Sequence, residues 1–97
     1  MGFEWDETKS AANLRERGFD FEFASLVFDG ATLEAEDTRR NYGERRWIAI
    51  GLADGIHLTV VYTDRRVAGG DVVRRIISAR RSKRSERNVY DEAVKQG

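Results

Sequence analysis

A chain of 97 residues without cysteine is long enough for one domain with a modest core, and it excludes disulfides and thiolate zinc sites. Its 17 basic and 17 acidic side chains balance to a formal net charge of zero. No apolar run approaches the roughly 20 residues of a membrane span, and the N-terminus lacks a signal-peptide pattern. We therefore expect a single cytoplasmic domain over residues 1–97, without membrane contact.

The balanced charge hides an uneven distribution along the chain. Residues 1–37 contain ten acidic and three basic residues, whereas residues 38–97 contain seven acidic and fourteen basic ones. Most of the bases are arginines, whose planar guanidinium group favours two-point contact with phosphate or carboxylate. The second part of the chain therefore predicts a nucleic acid or an acidic protein as partner. The acidic first part should confine any nucleic acid to one side of the molecule.

The N-terminal part predicts a short aromatic strand followed by two helices. Asp6 is a suitable N-cap for a helix that ends near Arg17, and Gly18 is a suitable C-terminal cap. Asp20 is expected to begin a second helix, because aromatic and apolar residues follow it at helical spacing. That stripe predicts core rather than a cofactor site. A strand over residues 31–37 should then lead into a loop.

Residues 44–52 and 56–65 predict a β-hairpin. The dipeptide Asp54-Gly55 between them is a signal for a two-residue turn. With that turn, the numbers of opposite residues add up to 109, and one face of the hairpin is wholly apolar. A three-residue loop would instead shift the pairing by one position. The two-residue turn gathers four polar side chains at one end of the other, open face: Glu44, Arg46, Thr63 and Arg65.

The next strand, expected over residues 72–80, is bracketed by two arginine pairs. Consecutive side chains of a strand point to opposite faces, so each pair should place one guanidinium on each face. Regular alternation puts Ser78 and Arg80 on one face, and Arg75 and Arg81 on the other. The charges are consistent with an edge strand protected against aggregation. They are also consistent with an anion-binding surface laid across a sheet.

The order of elements predicts an α+β domain. A final helix, capped by Ser82 or Ser85, should reach about Lys95. No crossover helices alternate with the late strands, so we expect a largely antiparallel twisted sheet. Two N-terminal helices should cover one face, and the C-terminal helix completes the domain.

The open face offers the parts needed for RNA cleavage. Several guanidiniums can hold a phosphate and offset charge that develops on it, while Glu44 can accept a proton from a ribose 2′-hydroxyl. The acid for the leaving group would be Tyr90 or a water, because arginine is a poor proton donor. Glu44 can equally form a simple ion pair with Arg65. His57 is expected at the surface near the hairpin turn, and no ligand spacing or P-loop points to a metal or nucleotide cofactor.

A set of motifs runs along nearly the whole chain: Phe3-Glu4-Trp5-Asp6, Lys9, Asn13, Gly18, Phe21, Ala24, Phe28-Asp29, Gly43-Glu44, Arg46-Trp47, Gly51, Val60-Val61-Tyr62-Thr63, Arg65, Arg75-Ile76-Ile77-Ser78-Ala79-Arg80-Arg81, Glu86-Arg87 and Tyr90. Together these motifs resemble the BrnT family, the toxins of type II toxin–antitoxin systems. The resemblance implies a RelE-like ribonuclease fold, RNA cleavage that inhibits translation without a metal, and neutralisation by a BrnA-type antitoxin. Such an antitoxin carries a ribbon-helix-helix part, through which the complex would bind operator DNA.

The catalytic residues that match the family and lie on the predicted open face are Glu44, Arg46, Arg65 and Arg80. In this hypothesis Arg65 and Arg80 hold the scissile phosphate, with Arg46 in support. Further RNA contacts are expected from Arg45, Arg75, Arg81, Lys83 and Tyr90. No cofactor is expected.

The chain departs from the family pattern at two places. Arg17 and Gly30 stand where such sequences commonly have histidine and proline. We expect the side chain at position 17 to cap the first helix. The replacement of histidine by Arg17 should then concern the end of the helix and not catalysis. Two alternatives remain: a non-catalytic module that binds RNA or the ribosome, and a degenerate toxin that serves only as the antitoxin's partner.

Overall fold

The computed structural model describes residues 1–96, which form a sheet with helices on both faces. The strands are β1 (Gly2–Trp5), β2 (Leu33–Glu36), β3 (Trp47–Ala53), β4 (Ile56–Arg66) and β5 (Val72–Arg81). The helices are α1 (Glu7–Arg17), α2 (Phe21–Ala24) and α3 (Arg84–Gln96). Two 3₁₀ segments lie at Ser25–Asp29 and Ala68–Gly70.

The five strands lie in the order β1-β5-β4-β3-β2, which confirms the predicted α+β class. The sheet is mixed, because β1 runs parallel to β5 while the other neighbouring pairs are antiparallel. The expected second helix is a single α-helical turn, α2, that continues as the 3₁₀ segment Ser25–Asp29. The strand expected from Glu44 begins instead at Trp47.

The caps of α1 follow the sequence prediction. The Asp6 carboxylate accepts hydrogen bonds from the backbone N–H groups of Thr8 and Lys9, at 2.9 and 3.1 Å. These bonds satisfy donors that the first turn of a helix leaves free. Gly18 ends the helix with φ at +87° and donates its N–H to the Leu14 carbonyl. That backbone conformation is costly for residues with a Cβ, which explains the glycine.

The β3–β4 hairpin has the predicted two-residue turn and the predicted register. Asp54 and Gly55 both have positive φ, as this turn requires, and Trp47 lies opposite Tyr62. The face that carries the fully buried residues Ala49, Leu58 and Val60 lies beneath α2 and the 3₁₀ segment, and we call it the covered face. The opposite face of the sheet is the open face.

Gly51 on the covered face lets the 3₁₀ segment approach β3 closely. A Cβ added to Gly51 would lie 2.9 Å from the Val27 Cβ, closer than side chains can pack without a shift. The prediction that the aromatic stripe of the second helix belongs to the core is confirmed, because Phe21 and Ala24 are buried there together with Val27.

A bulge in β5 changes which arginines share a face. Val61 pairs with Ser78, but Tyr62 pairs with Ile76, so Ile77 is an extra residue on β5. An extra residue reverses the alternation beyond it. Arg75 therefore lies on the open face with Ser78 and Arg80, and the prediction that it shares a face with Arg81 is wrong.

The helix α3 packs on the open face at the hairpin-turn end, opposite α1 and α2. Its Glu86 contacts Thr59 on β4 and Arg80 on β5. The prediction that Ser82 or Ser85 caps this helix is wrong. Instead the Glu86 carboxylate accepts the Lys83 backbone N–H at 2.7 Å, while the Ser82 hydroxyl bonds Thr59.

Candidate functional site

Glu4 joins two arginines at the end of the open face that α3 leaves free. Its carboxylate accepts hydrogen bonds at 2.7 Å from both Arg65 and Arg75. The pairing of β1 with β5 sets Glu4 opposite Arg75, and the pairing of β5 with β4 sets Arg75 opposite Thr63. The bonds from Arg65 and then Arg75 lower the pKa of Glu4. Sequence reasoning missed Glu4 as a site residue.

A second carboxylate and a third arginine lie beside this group. Glu44 accepts a hydrogen bond from Arg46 at 2.9 Å, and the negative charge of Glu44 contributes to raising the pKa of Arg65. The predicted Glu44–Arg65 pair is therefore a through-space attraction, whereas the direct partner of Arg65 is Glu4. We call the whole group the three-arginine cluster: Arg46, Arg65 and Arg75 with Glu4 and Glu44.

Thr63, expected within this polar group, is buried instead. Its hydroxyl donates to the Arg45 carbonyl at 2.7 Å, where the chain leaves the ladder just before β3. The bond satisfies a carbonyl that has lost its strand partner. Thr63 thus fixes the backbone that carries Arg46.

Arg80 belongs to a separate group at the other end of the open face, which we call the Arg80 cluster: Arg80, Glu86, Thr59 and Ser82. Arg80 donates two hydrogen bonds to Glu86, at 2.7 and 2.9 Å. The bonds from Arg80 lower the pKa of Glu86 to about 2. Two-point pairing of this kind is the strongest geometry available to an ion pair.

The two clusters do not meet. Arg80 lies opposite Thr59, which precedes Arg65 by six residues on β4. At about 3.3 Å per residue this separates the backbones by about 20 Å, and the two guanidiniums are drawn towards different carboxylates. The prediction that Arg65 and Arg80 clamp one phosphate is therefore wrong for this structure. The arginine that lies beside Arg65 is Arg75, which the bulge places on the open face.

The other predicted RNA contacts are scattered. Arg45 pairs with Glu36 and lies over the Trp47 ring at 5.1 Å. Lys83 is exposed just before α3. Arg81 lies opposite Leu58, and so on the covered face, at the rim of a cavity of about 240 Å³.

Tyr90 does not lie at the surface. It is 4% exposed, and its hydroxyl donates to the Ala31 carbonyl at 2.8 Å. The side chain anchors α3 against the chain ahead of β2. This burial is incompatible with the expected contact to RNA and with a role as leaving-group acid.

His57 is more enclosed than expected. Its side chain is 20% exposed, its Nε2 lies 2.7 Å from the Asp91 carboxylate, and its ring meets Tyr90 edge-on. The prediction that His57 lies at the surface did not include α3, which supplies both neighbours. His57 therefore helps to seat that helix.

Arg17 reaches the sheet rather than capping its own helix. Its guanidinium donates to the Ala79 carbonyl of β5 at 2.8 Å, 62 residues away in the chain. This bond ties the end of α1 to β5. The side chain at this position is structural here, and it is not in either arginine cluster.

Acidic and basic residues are not segregated in space as they are along the chain. Glu4, Glu36 and Asp37, all from the acidic first part, pair with arginines of the second part. The expectation that the acidic part would confine nucleic acid to one side therefore fails. The open face instead carries arginines with a carboxylate beside most of them.

Two further properties concern the part of the chain that the structure describes. Over residues 1–96 no three His, Cys, Asp or Glu side chains are grouped as metal ligands would be. In the same range, none of the helices combines the length and the apolar character needed to cross a membrane.

Comparison with known proteins gives one informative result. No curated protein matches the chain significantly. A family model matches residues 5–86, and its description is a ribonuclease toxin, BrnT, of a type II toxin–antitoxin system. A toxin of this class has RNA as its substrate and an antitoxin as its partner. Because the match spans most of the chain, the protein belongs to the BrnT family of ribonuclease toxins.

Proposed function

We propose that this toxin cuts RNA at the three-arginine cluster, and that the cut inhibits translation. The observation that supports the site is the Glu4 carboxylate held between Arg65 and Arg75 at 2.7 Å. A carboxylate and a phosphate bind guanidinium groups in the same geometry, so a phosphate group fits at the position that Glu4 occupies. Arg46 pairs with Glu44 and so supports the side chain that we assign as the base.

The reaction is transfer of the phosphate to the neighbouring 2′-hydroxyl. Glu44 accepts the proton of that hydroxyl, the 2′-oxygen forms a bond to phosphorus, and the bond to the 5′-oxygen breaks. The departing 5′-oxygen takes a proton from water. The products are a 2′,3′-cyclic phosphate and a 5′-hydroxyl. The arginines offset the negative charge that builds up on the phosphate, which makes a metal unnecessary in this proposal.

Glu44 is a better base than Glu4 for this step. Glu4 receives hydrogen bonds from two guanidiniums, which lower its pKa and so weaken its hold on a proton. Glu44 receives one, from Arg46, and is 41% exposed at the side chain. We assign Glu4 the role of an internal occupant of the phosphate position, which an RNA phosphate must displace.

The remaining basic residues extend the RNA path. We propose that Arg45 and Lys83 contact neighbouring phosphates, and that Arg80 marks the far end of the path where α3 is attached. Arg81 lies on the covered face and Tyr90 is buried, so the proposal does not include them. The antitoxin that we expect is of the BrnA type, with a ribbon-helix-helix part that binds operator DNA, and the expected location of the pair is the cytoplasm.

The direct test is the chemistry of the RNA ends after incubation with the isolated chain. We expect 2′,3′-cyclic phosphate ends, and a rate that falls by roughly 10²–10⁴ in Glu44→Gln, the usual contribution of a general base. Glu16→Gln, an exposed carboxylate on α1, is the matched control and should leave the rate unchanged. Intact RNA, or full activity in Glu44→Gln, would refute the assignment.

A second candidate function has one observation in its favour. Each arginine of the three-arginine cluster already has a carboxylate partner, as expected of a degenerate toxin whose basic face only receives an acidic antitoxin segment. That function predicts intact RNA together with retained antitoxin binding. A non-catalytic RNA-binding module predicts intact RNA with tight, salt-sensitive binding. The assay of RNA ends separates both from the enzyme.

A further inference from the structure

The loop between β2 and β3 forms a groove next to the three-arginine cluster. The groove has a volume of about 540 Å³, and its walls include Thr38, Arg40, Asn41 and Tyr42. Glu44, the proposed base, also lines it. Anything bound in the groove would therefore lie beside the scissile phosphate.

The loop is braced from within. The buried Asp37 carboxylate accepts two hydrogen bonds from the Arg39 side chain, both at 2.7 Å. The backbone N–H of Asp37 donates to the Arg46 carbonyl at 2.8 Å. The Asn41 side chain accepts the Gly43 N–H at 3.0 Å. Groups held in this way need little ordering when a ligand binds, which favours affinity.

Tyr42 has the arrangement of a stacking platform. The Arg46 guanidinium lies 4.2 Å from the ring centroid, on one face of the ring. The Tyr42 side chain is half-buried, and its ring lines the groove. Aromatic rings of this kind, interleaved with arginine, are how proteins stack single-stranded bases.

Arg40 differs from the other arginines of the loop. Arg39, Arg45 and Arg46 each pair with a carboxylate. Arg40 is exposed and lines the groove, and it has no ion pair or hydrogen bond with the side chains that the structure describes, those of residues 1–95. One nucleotide could contact both groups, because its phosphate can bind the unpaired guanidinium while its base stacks on the aromatic ring beside it.

We propose that this groove is a nucleotide subsite for single-stranded RNA, in which a base stacks on Tyr42 and its phosphate contacts Arg40. The inference rests on the proposed function, because it assigns to the same RNA a position next to the cut. The subsite would make the toxin prefer certain bases beside the cleaved bond. An acidic segment of the antitoxin is the competing occupant, and the experiment below separates the two.

The test uses the full chain and a short RNA whose riboses are all 2′-O-methylated, so that it binds without being cut. We expect Tyr42→Ala to weaken binding by roughly fivefold to a hundredfold, the usual loss of one stacked base. Tyr42→Phe keeps the ring and should bind within about twofold of the parent, since the base contact is with the ring face. Thermal unfolding of each variant shows whether it is folded, and Tyr42→Leu, which retains apolar bulk, replaces Tyr42→Ala if that variant does not fold.

Arg40→Ala gives an independent measurement that does not depend on the packing of Tyr42. The slope of log affinity against log salt concentration should fall by about 1, as expected on loss of one phosphate contact. Arg40→Lys should restore much of the slope. Arg15→Ala removes another exposed arginine, from α1, and is the control that should leave the slope unchanged.

Three outcomes overturn the inference. The first is parent-like RNA affinity in both Tyr42→Ala and Arg40→Ala. The second is an unchanged pattern of cut sites when the same variants act on unmodified RNA. The third is loss of antitoxin affinity with no loss of RNA affinity, which would assign the groove to the antitoxin. If the parent binds the methylated RNA through the groove but cuts no RNA, the proposed function fails and the subsite stands.

Discussion

The two arginine clusters of the open face have similar composition but differ in what their carboxylates hold. In the three-arginine cluster the Glu4 side chain is 26% exposed and, among the described residues, accepts hydrogen bonds only from the arginines Arg65 and Arg75. In the Arg80 cluster Glu86 is similarly exposed, at 22%, but it accepts two bonds from Arg80 and also binds the Lys83 backbone N–H at the start of α3. Isolated surface pairs contribute about 0–1 kcal/mol to stability, whereas a pair within a hydrogen-bond network is more costly to break. Arginines at the first end are therefore available to a ligand, and Arg80 chiefly holds the helix.

The largest effect that we expect comes from removing the guanidiniums on either side of Glu4. Arg65→Ala combined with Arg75→Ala should lower the RNA cleavage rate by at least about 10²–10³, the loss typical for one group that stabilises transition-state charge. The unfolding midpoint should change little, because neither pair is joined to the backbone as the Arg80–Glu86 pair is. Cleavage kinetics and thermal unfolding measure the two properties.

Arg66→Ala provides the control for that double variant. Arg66 follows Arg65 on β4, and its guanidinium donates to the Gly70 carbonyl rather than to a carboxylate. It should cut at the parental rate. Parental growth inhibition by the double variant, expressed without antitoxin, would show that the three-arginine cluster is not the site.

The next effect should be on stability and should come from the other cluster. Arg80→Ala leaves Glu86 without its two-point partner in a partly buried position, so we expect a loss of about 2–3 kcal/mol in the free energy of unfolding. Urea unfolding followed by circular dichroism measures it. The single variant Arg75→Ala is the comparison and should lose less than about 1 kcal/mol. Equal losses in the two variants would remove the distinction between the clusters.

Acid should weaken the Arg80 cluster. The pKa of Glu86 lies at about 2 in the folded chain against an ordinary value of 4.5, because Arg80 donates two hydrogen bonds to its carboxylate. The contribution of the Arg80–Glu86 pair to the free energy of unfolding is therefore complete above about pH 4.5 and is lost as the pH falls towards 2. We expect about 1–2 kcal/mol to disappear across this range. In Glu86→Gln the decrease between pH 5 and 2.5, measured by urea titration, should be smaller by about that amount; an identical decrease would contradict the pairing.

The smallest effect should be a gain. Glu4→Gln removes the negative charge that occupies Arg65 and Arg75, so an RNA phosphate no longer competes with it. We expect affinity for a non-cleavable RNA to rise by roughly twofold to fivefold, in line with the small energies of exposed pairs. Fluorescence anisotropy measures the affinity, with Glu7→Gln on α1 as control. Weaker binding would mean that Glu4 positions the arginines instead of blocking them.

Local patterns carried much of the fold prediction. The caps at Asp6 and Gly18 and the turn at Asp54-Gly55 depend on residues within a few positions of each other, and the structure has all of them. The hairpin register followed from the turn and from the alternation of apolar side chains. The family motifs then identified the chain as a BrnT toxin.

Long-range contacts explain what the sequence could not predict. Glu4 is 61 residues from Arg65 and 71 from Arg75, and the parallel pairing of β1 with β5 brings them together. The bulge at Ile77 depends on how β5 pairs with β4, and it alone moves Arg75 to the open face. The placement of α3 likewise decided the environments of His57 and Tyr90. These three features depend on tertiary pairing, which the propensities of neighbouring residues do not reveal.

The central claim is that the chemistry takes place at the Glu4 end of the open face. Single-turnover cleavage by Arg65→Ala and Arg80→Ala, each in excess over RNA and at a temperature where both are folded, tests it most directly. We predict that Arg65→Ala loses at least about a hundredfold in rate, whereas Arg80→Ala stays within about tenfold of the parent. The reverse order, with Arg80→Ala inactive and Arg65→Ala near parental, would place the site under α3 and contradict this account.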